Sequence, residues 1–352
     1  MSVHGSAGQA VPRNFVLDLL VSFIALWISC GFFLDAWAHG HVPIETFFTP
    51  YHAVFYAGML AGILILLAFA LTARARGYSW RGCMPAAYRI PLLGVPLFIA
   101  AGIGDLIWHR LLGVEEGVDA LLSPTHQALG LAIFFVSAGP IRSSLQAAPQ
   151  LRTLRDHLPL IFALAAWIEL IHFGTAYAFD PGAGMRNAPP PTSPFTSQYL
   201  TALSIGYYKL SMGVLIVVFQ STIMAGFALW AGSRFRLAPG AVTLMLLLGN
   251  FAAAAAFTND TPLLPTVLLM SVAAGATADL IVARLHPTPE RRRAYRLLGT
   301  AVPLAYFATY ALVTAIWQRV WWDWNVLLGA VIWAAVIGFG LSLLSTPRST
   351  RA

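Results

Sequence analysis

Aspartate and histidine residues follow the same spacing pattern at two places in the chain, 70 residues apart. In each copy an aspartate precedes a histidine by four positions, and a second histidine follows a Ser/Thr-Pro pair at a spacing of two. The copies are Asp35, His39 and His52 with Thr49-Pro50, and Asp105, His109 and His126 with Ser123-Pro124. Side chains at i and i+4 share a helix face, so each Asp–His pair could bind one metal ion. A single pair at a helix end would more simply be a structural or capping pair, but the duplication favours a site.

A third group of polar residues follows in the same half of the chain. Glu169 and His172 repeat the Glu-x-x-His arrangement of di-metal helix bundles. With them, the donors suffice for one or two metal ions. Imidazole and carboxylate donors without clustered thiolates or methionines suit copper(II), iron or zinc, and copper is the cofactor that we expect. The predicted metal ligands are Asp35, His39, His52, Asp105, His109, His126, Glu169 and His172.

Other polar residues near the pattern are candidates for supporting roles. Glu45 and Asp119 each stand seven residues before the second histidine of their copy, where they could orient the imidazole or transfer protons. Glu116 is a further acid–base candidate in the second copy. The possible cavity-lining residues are Tyr207, Tyr208 and Lys209, for which anchoring at the membrane interface is an equally good interpretation.

The composition places this pattern in a membrane protein. The chain of 352 residues is 58% hydrophobic and only 10% charged, with a mean hydropathy of +0.72. Soluble domains carry roughly a quarter charged residues. The net charge of +7 comes from arginines in loops, and no basic patch with interleaved aromatic residues indicates nucleic-acid binding. No cleavable signal peptide is evident at the N-terminus.

Apolar runs of about 20 residues predict an all-α, polytopic bundle of about ten transmembrane helices with repeated two-helix hairpins. We expect a tail at 1–13, a five-helix half that carries the metal site at 14–178, and a Pro/Gly-rich loop at 179–202. A five-helix scaffold half at 203–346 and a tail at 347–352 follow. The predicted helices are 14–37, 51–72, 90–112, 123–141, 158–178, 203–231, 239–257, 263–284, 296–317 and 324–345.

Arginines concentrate in the loops at one end of these helices, as in the group Arg74, Arg76, Arg81 and Arg89. The positive-inside rule makes that end cytoplasmic, together with both termini. The Asp–His pairs then lie at the outer ends of the first and third helices, and His52 and His126 open the second and fourth. We therefore expect the site to face outward or towards the periplasm, in a plasma or inner membrane. Cys30 and Cys83 fall on opposite sides and cannot form a disulfide.

The spacing Asp35-x3-His39-x12-His52 resembles the copper-ligand motif in one membrane component of the membrane-bound copper monooxygenases, the particulate methane and ammonia monooxygenase family. The second copy, Asp105-x3-His109-x16-His126, is similar to the neighbouring site of that family, with Asp in place of Asn. The resemblance covers about 90 residues and is local, because this chain is longer and has more predicted helices. It implies copper binding and oxidation of a small apolar substrate at the membrane.

Three functions are consistent with these residues. The first is a membrane oxidoreductase of the monooxygenase type, with a copper or iron centre that acts on a small or lipophilic substrate. The second is a zinc-dependent membrane hydrolase, in which Glu169 or Asp119 serves as base. The third is a metal-binding subunit or transporter without catalysis. The expected partners are the lipid bilayer, the substrate and other subunits in a homo- or hetero-oligomer, but no nucleic acid.

Overall fold

Helices account for 84% of the protein in the computed structural model, and the described residues form ten α-helices and no strands. This confirms the predicted all-α membrane bundle. Nine of these helices are long and apolar enough to cross a membrane, so the protein is a membrane-helical protein. The structure describes residues 10–42, 47–113, 115, 120, 122–182, 197–256, 263–318 and 322–345. Most of the predicted loop at 179–202 lies outside these residues, and so does most of each predicted tail.

The chain divides into two compact units, Met1–Ala176 and Tyr177–Ala352. The first unit contains five long helices and two short 3-10 turns before the third of them. The five helices are α1 (Phe15–His41), α2 (Pro50–Ala75), α3 (Gly94–Leu112), α4 (Pro124–Gln146) and α5 (Leu154–Gly174). Helix α1 packs against α2, α4 and α5, while α3 packs against α4. The expected two-helix hairpins α1–α2 and α3–α4 are therefore both present.

Glycines let the helices of the first hairpin approach closely. A Cβ atom at Gly31 would lie 2.8 Å from the Cβ of Phe55, and one at Gly58 would lie 2.8 Å from Cγ1 of Ile28. Small residues at such contacts are typical of helix pairs in membranes, where dispersion contacts rather than the hydrophobic effect hold helices together. This close contact brings the C-terminal end of α1 beside the N-terminal end of α2.

The second unit contains α6 (Ser197–Arg234), α7 (Ala241–Ala256), α8 (Leu263–Leu285), α9 (Arg292–Val313) and α10 (Trp324–Leu344). Successive helices from α7 to α10 pack against one another, and α6 packs on α9 and α10. The carboxylate of Asp279 in α8 accepts hydrogen bonds from the backbone N–H groups of Val242 and Thr243, each at 3.1 Å. It thereby caps the N-terminus of α7, where N–H groups have no partner within the helix.

Most helix bounds differ from the predicted ones by a few residues, and two of the differences have identifiable reasons. Helix α5 begins at Leu154 rather than 158, because Thr153 and Asp156 form a capping box that adds a polar first turn. Helix α7 has 16 residues, which span about 24 Å at a rise of about 1.5 Å per residue. It is therefore shorter than the membrane-spanning helix that was predicted over 239–257.

Candidate metal centre

Four helix ends meet at one end of the first unit and carry both copies of the Asp–His pattern. Asp35 and His39 lie in the last two turns of α1, and Asp105 and His109 lie in the last two turns of α3. His52 is in the first turn of α2, and His126 is in the first turn of α4. The helix starts are those expected from the sequence, with Thr49 and Ser123 at the N-cap positions and proline at the first helical position.

The first copy forms a compact group of three donors. The Nε2 atom of His39 lies 3.4 Å from Oδ2 of Asp35, and the Nδ1 atom of His52 lies 3.2 Å from Oδ1 of Asp35. Asp35, His39 and His52 each offer one ligand atom, and these atoms all lie within 4.8 Å of one another. A two-histidine, one-carboxylate group of this size could hold a metal ion.

A second group of three donors shares a histidine with the first. His52, Asp105 and His109 likewise offer ligand atoms within 4.8 Å of one another. The ring centroid of His52 lies 6.1 Å from that of His109 and 5.8 Å from that of His39. The two copies therefore form one continuous cluster, with His52 at its centre.

Hydrogen bonds set which nitrogen of the central imidazoles faces the cluster. The Nδ1 atom of His109 lies 3.3 Å from the carbonyl oxygen of Gly113. A carbonyl can only accept, so Nδ1 carries the proton and Nε2 carries the lone pair that binds metals. Gly113 ends α3 with φ of +88°, a conformation that favours glycine. In His52, Nδ1 lies 3.0 Å from Oγ1 of Thr49, and Nε2 is the ring nitrogen that is buried without a hydrogen-bond partner.

Several donor atoms at the centre of the cluster are buried and lack a hydrogen-bond partner. They are Nε2 of His39, Nε2 of His52, Nε2 of His109 and Oδ1 of Asp35. Nε2 of His39 and Nε2 of His109 each lie at ion-pair distance from the aspartate of their own copy, and Oδ1 of Asp35 lies at that distance from Nδ1 of His52, but none of these contacts has hydrogen-bond geometry. An unsatisfied buried polar atom typically costs about 1–3 kcal/mol, so four together call for an explanation. A metal ion that accepts these lone pairs would provide one.

Asp105 and His126 are bonded differently from the corresponding residues of the first copy. Asp105 is fully buried, and its Oδ1 accepts a hydrogen bond from Oγ1 of Thr125 at 2.8 Å. His126 places Nε2 at 3.2 Å from the same oxygen and Nδ1 at 2.6 Å from the carbonyl oxygen of Ala120. Both nitrogens of His126 thus already have partners, so this residue orients Asp105 rather than offering a lone pair to the cluster.

Two aromatic side chains that were not predicted as site residues cover the cluster. The ring of Phe47 packs at 5.0 Å from His52 and at 5.9 Å from His109. The ring of Tyr56 stacks on His52 with an interplanar angle of 14°, and its hydroxyl donates to Oδ2 of Asp105 at 3.4 Å. The sequence signal for Tyr56 is its position four residues after His52, on the same helix face.

Glu169 and His172 lie fully buried near the C-terminal end of α5. This helix packs against α1, as shown by the contact of Phe173 with Phe32 at 5.3 Å between ring centroids. Neither Glu169 nor His172 belongs to the two groups of three donors found among the described residues. The structure therefore places them at the same end of the first unit, but it does not join them to the cluster through these groups.

The remaining predicted residues are divided between the second unit and the undescribed segments. Tyr208 is exposed and Lys209 is half-buried in α6 of the second unit. The candidates that lie outside the described residues are Glu45, Glu116, Asp119 and the side chain of Tyr207. His41, which follows His39 by two positions, is exposed and uses Nδ1 to contact the carbonyl oxygen of Trp37 at 2.7 Å.

A buried carboxylate at the opposite end of the first unit provides a contrast. Asp18 is fully buried and accepts hydrogen bonds from Tyr88 at 3.0 Å and Ser143 at 2.5 Å. The guanidinium of Arg13 donates to it at 3.1 Å. These partners satisfy the carboxylate within the protein. Asp18 thus has hydrogen-bond partners within the protein, whereas Oδ1 of Asp35 has no hydrogen-bond partner and lies only at ion-pair distance from His52.

The geometry establishes a membrane-helical protein with buried His/Asp groups that could bind a metal ion. Comparisons with protein-family models, with curated proteins and with solved structures found no match to this chain.

Proposed function

We propose that this protein binds a single transition-metal ion at the junction of the two hairpins. The candidate donor atoms are Nε2 of His52, which belongs to both groups of three donors, with Nε2 of His39 and Oδ1 of Asp35 in one group and Nε2 of His109 in the other. The observation that carries the proposal is the burial of these four donor atoms without hydrogen-bond partners. An ion bound by Asp35, His39 and His52 would satisfy three of these four atoms.

The shared position of His52 favours one ion over two. Each three-donor group needs this imidazole, and its Nδ1 atom is already held by Thr49 and lies beside Asp35. Only Nε2 is left to bind a metal, and one lone pair serves one ion. Asp105 and His126 then act without binding the ion: Asp105 lies beside His109 and fixes its position, and His126 holds Asp105. Together they also set the charge next to the ion.

The donor set favours copper or iron and a redox function. It contains imidazole and carboxylate groups without sulfur, and two-histidine, one-carboxylate sets are characteristic of non-haem iron oxygenases. The proposed activity is monooxygenation of a small or lipophilic substrate that reaches the site from the bilayer. One oxygen atom of O₂ enters a C–H bond, the other leaves as water, and an external donor supplies two electrons and two protons. The local resemblance to the copper monooxygenases points in the same direction.

A zinc-dependent hydrolase is the second candidate, and one observation favours it. The carboxylate of Asp105 lies 3.5 Å from Nε2 of His109, beside the proposed ion, where a general base for metal-bound water would be needed. Zinc lowers the pKa of such a water to about 7. Zinc content together with activity on an ester or amide would support this candidate over the first.

Metal analysis of the purified full-length protein tests the centre directly. We expect about one copper or iron ion per chain, with a paramagnetic signal whose hyperfine pattern reports nitrogen ligands. The His52→Ala variant should lose the ion. The matched control is His41→Ala, which removes an exposed imidazole from the same end of α1 and should retain it. A folded wild-type protein that binds none of copper, iron and zinc after reconstitution would overturn the proposal.

Activity is tested separately, on protein already shown to contain the metal. Oxygen consumption is measured with a chemical reductant and a series of short alkanes, alkenes and lipids, and products are analysed for incorporation of ¹⁸O from labelled O₂. Label in the product supports the monooxygenase. Stoichiometric metal without turnover of any substrate in the series would instead support a metal-binding subunit.

A further inference from the structure

A groove opens at the basic end of the first unit, at the opposite end from the metal cluster. One wall is formed by α2, and the other by the chain that leads into α3. The cavity volume is about 870 Å³, within the range of about 300–1,000 Å³ that is typical of ligand clefts. We call it the α2–α3 groove. Its apolar walls include Ile63, Leu66, Leu67, Leu92, Val95 and Pro96.

Two arginines line this groove and are exposed to a ligand. Arg81 and Arg89 are both exposed, and in the described part of the chain neither forms an ion pair. The neighbouring arginines are used within the protein. Arg142 donates to the carbonyl oxygen of Ala87 at 3.1 Å, and Arg74 donates to the carbonyl oxygen of Tyr78. Arg81 and Arg89 therefore remain available to bind an anion.

An exposed tryptophan stands beside these arginines. Trp80 is 65% exposed, and the guanidinium of Arg74 lies 5.0 Å from its ring centroid. Tryptophans occur preferentially at the level of lipid headgroups in membrane proteins. Trp80 and the two arginines thus belong to a headgroup layer, while the leucines of α2 and of the turn before α3 extend the groove towards the apolar part of the helices.

We propose that the α2–α3 groove binds an anionic phospholipid. Arg81 and Arg89 contact the phosphate, and one acyl chain lies along Leu67 and Leu92. The combination of paired cations and an apolar wall fits an amphipathic anion better than a free anion or a neutral lipid, and basic pockets between transmembrane helices are known to bind acidic headgroups. This proposal does not depend on the metal centre.

Native mass spectrometry of the full-length protein tests the groove. The probes are phosphatidylglycerol and phosphatidylcholine with identical acyl chains, added to delipidated protein. We expect at least tenfold tighter retention of one phosphatidylglycerol. The double variant Arg81→Gln/Arg89→Gln should lose that preference. The matched control, Arg292→Gln/Arg293→Gln, removes the same charge from exposed arginines of the second unit and should keep it.

A second variant tests the apolar wall and leaves the charges in place. Leu67→Trp fills the groove from a half-exposed position, at which the leucine is 48% exposed, and should also weaken phosphatidylglycerol binding at least tenfold. The proposal is overturned if the two lipids bind equally, if the control pair loses the preference as fully as the arginine pair, or if inorganic phosphate at millimolar concentration displaces the lipid. Unchanged thermal unfolding of the variants in detergent would confirm that the first unit remains folded.

Discussion

The two copies of the Asp–His pattern have the same spacing at their first pair of residues but differ at the second histidine. In the first copy, His52 is held through Nδ1 by Thr49, and its Nε2 atom lacks a hydrogen-bond partner. In the second copy, His126 has partners at both nitrogens, the carbonyl oxygen of Ala120 and the carboxylate of Asp105. One histidine therefore keeps a ring nitrogen without a hydrogen-bond partner, and the other is used to hold a carboxylate.

The hydroxyl groups at the two N-cap positions explain why the second histidines of the two copies are bonded differently. The hydroxyl of Thr49 reaches both the backbone N–H and the ring of His52. The hydroxyl of Ser123, at the equivalent N-cap position, instead bonds to Thr125 at 2.9 Å, and Thr125 donates to Asp105. A difference in one hydroxyl network thus leaves the second histidine of the first copy with an unpaired ring nitrogen, whereas that of the second copy is used to hold Asp105.

Removal of the shared imidazole should have the largest effect. His52→Ala takes one donor from both groups at once, so we expect metal affinity to fall more than 100-fold and metal content to drop below one tenth of the wild-type value. This exceeds the 10- to 100-fold loss that is typical when a residue that only orients a ligand is changed. Metal content by mass spectrometry and affinity by competition with a chelator provide the measurement.

His126→Ala is the matched control for that variant, since it removes the corresponding imidazole from the second copy. Equal loss of metal in the two variants would mean that both histidines are ligands and that the asymmetry described above is wrong.

The two aspartates should also differ. Asp35→Asn replaces a carboxylate whose Oδ1 atom lacks a hydrogen-bond partner, and we expect metal affinity to fall by about 10- to 100-fold because a neutral amide oxygen is a weaker donor. Asp105→Asn alters a carboxylate that is bonded to Thr125 and Tyr56. We expect Asp105→Asn to lower the melting temperature and to reduce metal affinity less than Asp35→Asn does. Thermal unfolding in detergent, with and without added metal, separates the two effects.

The third prediction is the size of the effect of His126→Ala on metal affinity. His126→Ala should leave stoichiometric binding at saturating metal but weaken the affinity by about tenfold, the lower end of the range for residues that orient a metal site. The reason is that Asp105 loses one of its partners and His109 loses a fixed neighbour. Complete loss of metal from this variant, at a melting temperature close to that of the wild type, would contradict the supporting role.

Spacing along the chain was sufficient to predict the parts of this site that depend on one helix or one hairpin. Asp35 and His39, and likewise Asp105 and His109, are paired because four residues make about one helical turn. The N-cap positions followed from Thr49 and from the proline after it. The apolar runs also predicted the number of helices, since a membrane-spanning helix has a distinctive length and composition.

Sequence could not predict the contacts that depend on packing between the hairpins. The approach of His52 to His109 requires the second and third helices to come close, and Gly102 contributes to this, since a Cβ atom there would lie 3.1 Å from the ring of Tyr56. The tautomer of His109 depends on the carbonyl oxygen of Gly113, which turns towards the ring only because the helix ends there. Such details follow from the three-dimensional fold and leave no periodic signal.

The smallest predicted effect concerns Tyr56, which joins the two copies. Its ring stacks on His52 of the first copy, and its hydroxyl donates to Asp105 of the second at 3.4 Å. Tyr56→Phe keeps the ring and removes only this long hydrogen bond, which should contribute about 0.5 kcal/mol, the low end of the usual range for a hydrogen bond. We expect metal affinity to change by about threefold or less, as measured by chelator competition.

Tyr56→Ala is the companion variant, because it also removes the ring that packs on His52. It should weaken the affinity further than Tyr56→Phe does, since the imidazole then loses the surface that holds its orientation. If the two variants lose affinity equally, the hydroxyl rather than the ring maintains the centre. In that case the link between the copies would run through Asp105, and the second copy would contribute more to metal binding than its hydrogen bonds indicate.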